Sequence, residues 1–353
     1  MGGFVGRRTT RAIFVGGVQV GGNAPISVQS MTKTDTRDVA STVEQINQLA
    51  KSGCDIIRAA VPDQEAADAL PGILEGINIP LVADIHFDYR LALAALRAGV
   101  DGLRINPGNI GSRRKVEEVV QAAQDRDVPI RIGVNAGSLE KDLLVKYDGV
   151  TPEAMVESAM NHVNILEELN FKGIKISLKA SNVPLMLAAY RLMAEKTDYP
   201  LHIGVTESGT PRYGTVKSAI GIGILLSEGI GDTIRVSLTG QPDQEVIAGY
   251  DILRALGLRS RGVELISCPT CGRTEINLIK IAAEVEKKLQ QVDKPLKVAV
   301  MGCVVNGPGE AREADVGIAG GRGFGLIFRK GQVVRKVPED SLIQELLKEI
   351  ENI

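Results

Sequence analysis

Three of the four cysteines in this 353-residue chain, Cys268, Cys271 and Cys303, fall in one C-terminal stretch. The first two form a C-x-x-C pair, and Cys303 follows after an intervening helical pattern. Thiolates are soft ligands for iron–sulfur clusters and zinc, and a C-x-x-C pair alone can be a redox dithiol. A structural zinc site would want a fourth Cys or His nearby. Cys54 and the histidines, His86, His162 and His202, all belong to the N-terminal region. A dithiol would leave Cys303 without a role. Spacing alone leaves cluster, zinc and dithiol open.

A second set of polar residues sits late in, or just after, short β-branched runs. Arg58 follows DII, Asp84 and His86 lie in ADIH, Arg104 and Asn106 in LRIN, and Arg131 and Asn135 in RIGVN. Lys179 ends IKISLK, Glu207 follows HIGVT, and Arg235 and Ser237 lie in IRVSL. A lone strand-end charge is commonly a structural ion-pair residue. Four or five converging cations instead suit a phosphorylated ligand, because guanidinium forks match phosphate oxygens.

The elements that would bring these residues together are repeated βα units. From about residue 26 to 255, β-branched runs begin at Ile26, Asp55, Pro80, Gly102, Pro129, Ile174, Leu201 and Thr233, each followed by an amphipathic stretch such as 153–169. Eight units predict an α/β fold with an N-terminal (β/α)8 TIM barrel, whose mouth lies at the C-terminal ends of its strands. A doubly wound open sheet is the alternative, but no G-x-G-x-x-G turn follows the first strand. RAIFVGGVQVGG reads as a hairpin turning at Gly16 and Gly17, a plug for the barrel floor.

After LGLRSRG the rhythm changes, so the expected domains are 1–258, a substrate-binding barrel, and 259–353, a small α+β domain carrying the cysteines. Within the latter we expect a strand at VELIS, a helix over 274–291, a strand at KVAVMGC and a glycine-rich loop. Two strands around Lys330 and Gly331 and a terminal helix over 338–350 complete it.

Composition narrows the function classes. With 44% hydrophobic and 24% charged residues, the chain has material for a large core. Net charge is −2, Trp is absent and aromatics total 3%, which disfavours nucleic-acid binding. No apolar run approaches the roughly 20 residues that span a bilayer, and no signal peptide is read at the N-terminus, so the expected location is cytoplasmic.

The combination of CPTCGRTE from Cys268 with GCVVNGPGEA from Gly302 resembles the GcpE (IspG) family of hydroxymethylbutenyl diphosphate synthases of the non-mevalonate isoprenoid pathway. SVQSMT, ADIHF, RIGVN and HIGVTE extend the likeness over essentially the whole chain, in the two-domain bacterial form. One departure is Ser208, where the family commonly has alanine.

The resemblance implies a [4Fe–4S] cluster ligated by Cys268, Cys271, Cys303 and Glu310, with flavodoxin or ferredoxin as electron donor. A carboxylate binds iron less firmly than thiolate, so Glu310 would be the displaceable ligand. The implied reaction reductively opens 2-C-methyl-D-erythritol 2,4-cyclodiphosphate to 4-hydroxy-3-methylbut-2-enyl diphosphate, consuming two electrons and losing water. Arg58, Arg104, Arg131 and Lys179 then fall to the diphosphate, with Asn135, Ser237 and Arg235 as further contacts and Asp84, His86 and Asn306 as lesser candidates. Glu207, taken to sit among apolar barrel walls that keep it protonated, is the expected proton donor.

Barrel helices run from mouth to floor, so the chain leaves its last helix on the face opposite the mouth. A linker over 256–262 reaches about 25 Å at most. The expectation is therefore a head-to-tail homodimer in which each barrel is served by the partner's cysteine domain. Two other readings compete: a barrel transferase for a phosphorylated or pterin substrate with a structural zinc domain, and a non-enzymatic metal-binding interaction module.

Overall fold

The computed structural model describes residues 6–289, 292, 294–305, 309 and 311–353. The chain divides into two compact units, Met1–Arg259 and Ser260–Ile353.

The first unit opens with a hairpin, β1 (Ile13–Val15) and β2 (Val18–Val20), turning at Gly16 and Gly17. Gly16 has a φ of +53, and a Cβ there would stand 2.6 Å from Asp101 Oδ1, so only glycine fits the turn. Ile13, Val15 and Val20 pack on Ile56 and Val82 at the N-terminal ends of two barrel strands, which closes the floor.

Eight parallel strands follow: β3 (Ser27–Met31), β4 (Ile56–Ala60), β5 (Leu81–Asp84), β6 (Gly102–Arg104), β7 (Ile130–Asn135), β8 (Ile174–Lys179), β9 (His202–Ile203) and β10 (Thr233–Ile234). Their spatial order is β8-β7-β6-β5-β4-β3-β10-β9, and a bridge between Ile176 and Leu201 joins the two ends, giving a nearly closed barrel. The helices between them are α1 (Val39–Lys51), α2 (Gln64–Glu75), α3 (Tyr89–Ala98), α4 (Arg113–Gln124), α5 (Lys141–Lys146), α6 (Pro152–Glu168), α7 (Val183–Lys196), α8 (Pro211–Ser227) and α9 (Pro242–Ala255). Several start on side-chain caps: Asp38, Asp63, Thr151 and Asn182 each accept a first-turn N–H.

Strand alternation explains what the barrel contains. In β8, Ile174, Ile176 and Leu178 join the core between sheet and helices, while Lys175, Ser177 and Lys179 are buried on the other face, toward the barrel axis. The runs at Leu201 and Thr233 yield only two-residue strands. Past Ile203, Gly204 comes so close to the carbonyl oxygen of Arg235 that a Cβ would lie 2.2 Å from it, and the regular ladder ends.

The second unit is one mixed sheet in the order β11 (Glu264–Ser267), β12 (Lys297–Met301), β13 (Val316–Gly321), β14 (Phe324–Arg329), β15 (Gln332–Pro338). The first three strands are parallel and the last two antiparallel. Helices α10 (Leu278–Leu289) and α11 (Leu342–Glu351) cover one face through Val285, Leu289, Leu346 and Ile350. Ala311, Ala314 and Met301 pack on Phe328 across the other. Strand β13 occupies part of the stretch expected to be a glycine-rich loop. Its glycines fit the strand because Cβ atoms at Gly317, Gly320 and Gly321 would strike Phe328, Ile276 and Phe324 at 2.5, 2.4 and 2.7 Å.

Candidate functional site

Five cations converge at the mouth, each placed by a different strand. Arg58 comes from β4, Arg104 ends β6, Arg131 lies in β7, Lys179 ends β8 and Arg235 follows β10. With Asp84, His86, Asn135, Ser177 and Thr206 they line a cavity of about 410 Å3 open to solvent.

Asp84 is the carboxylate at their centre. Its Oδ1 accepts from Arg104 Nη1 at 3.3 Å, and Arg58 Nε lies 3.5 Å from Oδ2. Burial works to raise the Asp84 pKa, but Arg58, Arg104 and Arg131 outweigh it and hold the carboxyl below its usual range. His86 is exposed and reaches Asp84 Oδ1 at 3.8 Å.

Asp84, even with the buried Glu245 acting on Arg235 and Arg58, cannot neutralise five cations. Burial, with Arg235 and Arg104 adding to it, draws Arg58 down to about 9. Arg131 and Lys179 are pulled well below their ordinary values by burial and then by neighbouring guanidinium groups. Lys179 Nζ and the Nε atoms of Arg104, Arg131 and Arg235 are buried with no hydrogen-bond partner among the described residues. Unpaired buried donors of one sign amount to a preformed anion site.

Two positions shape this site without belonging to the cavity wall. Gly133 leaves room for Arg104, since a Cβ there would stand 2.5 Å from Arg104 Nε. Asn106, read from sequence as a mouth residue, is a brace: its amide donates to Gly133 O at 3.1 Å and accepts from Gly133 N at 2.9 Å. Ser237 is half-buried two residues beyond Arg235.

Glu207 is exposed, with a φ of +50, in the loop between β9 and α8. The expectation of apolar walls around its carboxyl therefore fails. Ser208 beside it is buried, donating to Val205 O at 3.2 Å. Ser177 and Thr206 line the cavity without having been singled out from sequence. The period-two pattern of Lys175, Ser177 and Lys179 was the available signal for Ser177.

In the second unit the thiols sit at the ends of two paired parallel strands. Cys268 directly follows β11, Cys271 lies in the next turn, and Cys303 comes two residues after β12. None is in a disulfide. The N–H of Gly302 donates to Cys268 Sγ at 3.3 Å, and the backbone N–H of Arg273 draws the Cys271 thiol below its usual range. Thr274 N donates to Cys271 O at 3.0 Å and Glu275 N to Gly302 O at 3.0 Å, stitching the two loops together.

Soft donors at neighbouring strand ends, served by backbone N–H groups, fit an iron–sulfur centre in ligand chemistry. Among the described residues, no three His, Cys, Asp or Glu side chains are already gathered as a metal-holding group. Glu310 and Asn306 lie outside the described residues.

Comparison with known proteins covers both units. The model of the GcpE TIM-barrel domain matches residues 10–250, and that of the GcpE protein C-terminal domain matches 264–352. A Geobacter sulfurreducens protein named 4-hydroxy-3-methylbut-2-en-1-yl diphosphate synthase (flavodoxin) is 66% identical over 344 residues, covering 98% of each chain. A Clostridium perfringens protein of the same name is 63% identical over 347 residues, covering 98% of this chain and 99% of its own. Among solved structures, dihydropteroate synthase from Stenotrophomonas maltophilia covers 70% of this chain and 97% of its own, at 14% identity and a TM-score of 0.52, which shows the fold alone.

Proposed function

Because the chain belongs to the GcpE family and acts as a 4-hydroxy-3-methylbut-2-en-1-yl diphosphate synthase of the MEP isoprenoid pathway, we propose that its mouth cations hold the substrate's cyclic diphosphate. The observation that carries this reading is the convergence of four buried cations and the half-buried Arg235 around Asp84. The substrate is 2-C-methyl-D-erythritol 2,4-cyclodiphosphate. Arg58, Arg104, Arg131 and Lys179 bind the phosphate oxygens, and Arg235, Asn135 and Ser237 fix its orientation. Asp84 keeps the Arg58 and Arg104 forks aimed inward, a task that needs it ionised.

Loss of a hydroxyl as water requires a proton at the departing oxygen. Glu207 gives that proton from the rim. Its left-handed backbone supports this, because a non-glycine residue held at positive φ costs about 1 kcal/mol or more and is kept where function needs the conformation. Binding of substrate over the loop would supply the desolvation that the carboxyl otherwise lacks.

Cys268, Cys271 and Cys303, with Glu310, would hold a [4Fe–4S] cluster, which would supply one-electron transfer chemistry, with flavodoxin as the donor. Gly302 N–H steadies the Cys268 sulfur. The working form is a head-to-tail homodimer. Arg259, the last residue of the barrel unit, donates to Ile26 O at 3.0 Å and pairs with Asp55 at 2.6 Å, which fastens the chain beside the floor ends of β3 and β4. No helix among the described residues is long and apolar enough to cross a membrane, and the four free thiols suit the reducing cytoplasm.

Iron and acid-labile sulfide analysis of anaerobically purified protein, with the electron paramagnetic resonance spectrum of the reduced form, tests this reading. The expected result is about four irons per chain and a spectrum altered by the cyclodiphosphate. Zinc in place of iron would overturn the cluster assignment.

A further inference from the structure

Lys175 is the second residue of β8, with its Cα directly opposite that of Arg131 in β7. Both side chains are 3% exposed and project into the barrel one layer below the mouth. Lys175 Nζ has no hydrogen-bond partner among the described residues, and neither do both amide atoms of Gln29 in β3 or the ring nitrogens of His202 in β9. Arg131 is shared between the mouth cavity and a second, smaller one lined by Lys175, Gln29 and Val15 of the floor hairpin.

Two cations side by side on one ladder, out of water, cannot both be carried without a compensating anion. The charged groups around Lys175 offer none. Arg131 faces it from β7 and His202 from β9, Lys179 lies on its own strand, and Arg58 and Arg104 act on Arg131 from β4 and β6. Asp84 on β5 is committed to Arg104 and Arg58. Asp232, ahead of β10, is committed to Arg7 at 3.0 Å, Thr10 Oγ1 at 3.0 Å and the Leu201 N–H at 2.9 Å. Between the two buried cations the amine yields, because a guanidinium holds its proton about two pH units or more beyond a lysine's ordinary value. Burial first, and Arg131 second, bring Lys175 down to about 7.

We propose that Lys175 is a second-tier anion-binding residue: it takes a proton from solvent when a diphosphate fills the mouth and adds positive charge beneath the phosphates. This rests on the diphosphate reading of the mouth. The event is free protein plus anion plus one proton giving the complex, with no other bond changed. It favours highly charged ligands, since a phosphate monoester returns less of the repulsion than a diphosphate.

Calorimetric titration of inorganic pyrophosphate into the cluster-loaded enzyme, at pH 8.5 in two buffers of different ionisation enthalpy, tests it. Wild type should take up about one more proton per pyrophosphate than Lys175→Met, with the ligand's own protons cancelling in the comparison. At pH 6, where the amine is already charged, the two should match. From pH 7.5 to 9 the wild-type affinity should fall more steeply than the variant's, by up to about tenfold per pH unit. If Lys175→Met does not fold, Lys175→Gln serves. Equal proton uptake at pH 8.5 with pyrophosphate still bound overturns the proposal and leaves the mouth assignment standing. Failure of wild type to bind pyrophosphate overturns both.

Discussion

The mouth of the barrel and the thiol loops of the second unit solve the problem of placing charged ligands in opposite ways. At the mouth, the side chains are fixed before any ligand arrives: Arg104 is held by Asp84 at 3.3 Å and by Gly133 O at 2.8 Å. At the thiol loops, it is the backbone that is fixed: Thr274 N bonds Cys271 O and Glu275 N bonds Gly302 O. Buried cations need a closed scaffold to hold them against repulsion, whereas thiolates are drawn together by the metal they bind. Loss of a ligand should therefore be felt differently at the two places.

The largest separation is expected from Cys268→Ala. Turnover should fall at least about a thousandfold, because incomplete ligation loses the cluster, while pyrophosphate affinity stays within about twofold of wild type. A parallel collapse of pyrophosphate binding would mean that the two sites are not independent. Lys179→Met attacks the other side. Removing a charged donor to an anion should weaken pyrophosphate binding about 10- to 100-fold, with iron content unchanged.

Gly133→Ala is subtler, since the new methyl would displace Arg104 rather than delete it; the expected loss is about 3- to 10-fold in pyrophosphate affinity. The smallest effect concerns stability. Lys175 titrates near 7 when folded and near its ordinary value of about 10.4 when unfolded, so the unfolded chain binds the extra proton between those limits. Stability from this group thus rises with pH from about 7 to 10, and its burden is complete below 7. Denaturation should show Lys175→Met more stable than wild type by about 1–3 kcal/mol at pH 6.5, the difference shrinking toward pH 9.5. A constant difference across that range would refute a titrating Lys175.

The barrel was legible because βα rhythm and strand-end polarity are local signals. All five mouth cations were named from sequence, and the structure lines one cavity with them. Asn106 was placed at the mouth from sequence, but its bracing of Gly133 depends on a backbone partner 27 residues away, which no pattern announces. Glu207 was assigned its proton on the assumption of burial, and burial of a loop residue is a tertiary property. Strand β13 was read as loop because three glycines hide its propensity, although those glycines answer to Phe328, Ile276 and Phe324. In the thiol unit the motif named the candidate ligands, yet the pattern holds no information about how far apart the sulfurs rest.

The pairing of one chain's mouth with another chain's thiol loops is tested most directly by complementation. Arg131→Met, deficient at the mouth, and Cys268→Ala, deficient at the thiols, are each inactive alone. Mixed, unfolded and refolded together with iron and sulfide, they should regain about a quarter of wild-type turnover, because half the dimers are mixed and each carries one intact composite site. No recovery in a mixture shown to contain heterodimers would contradict the account and place both halves of the site on a single chain.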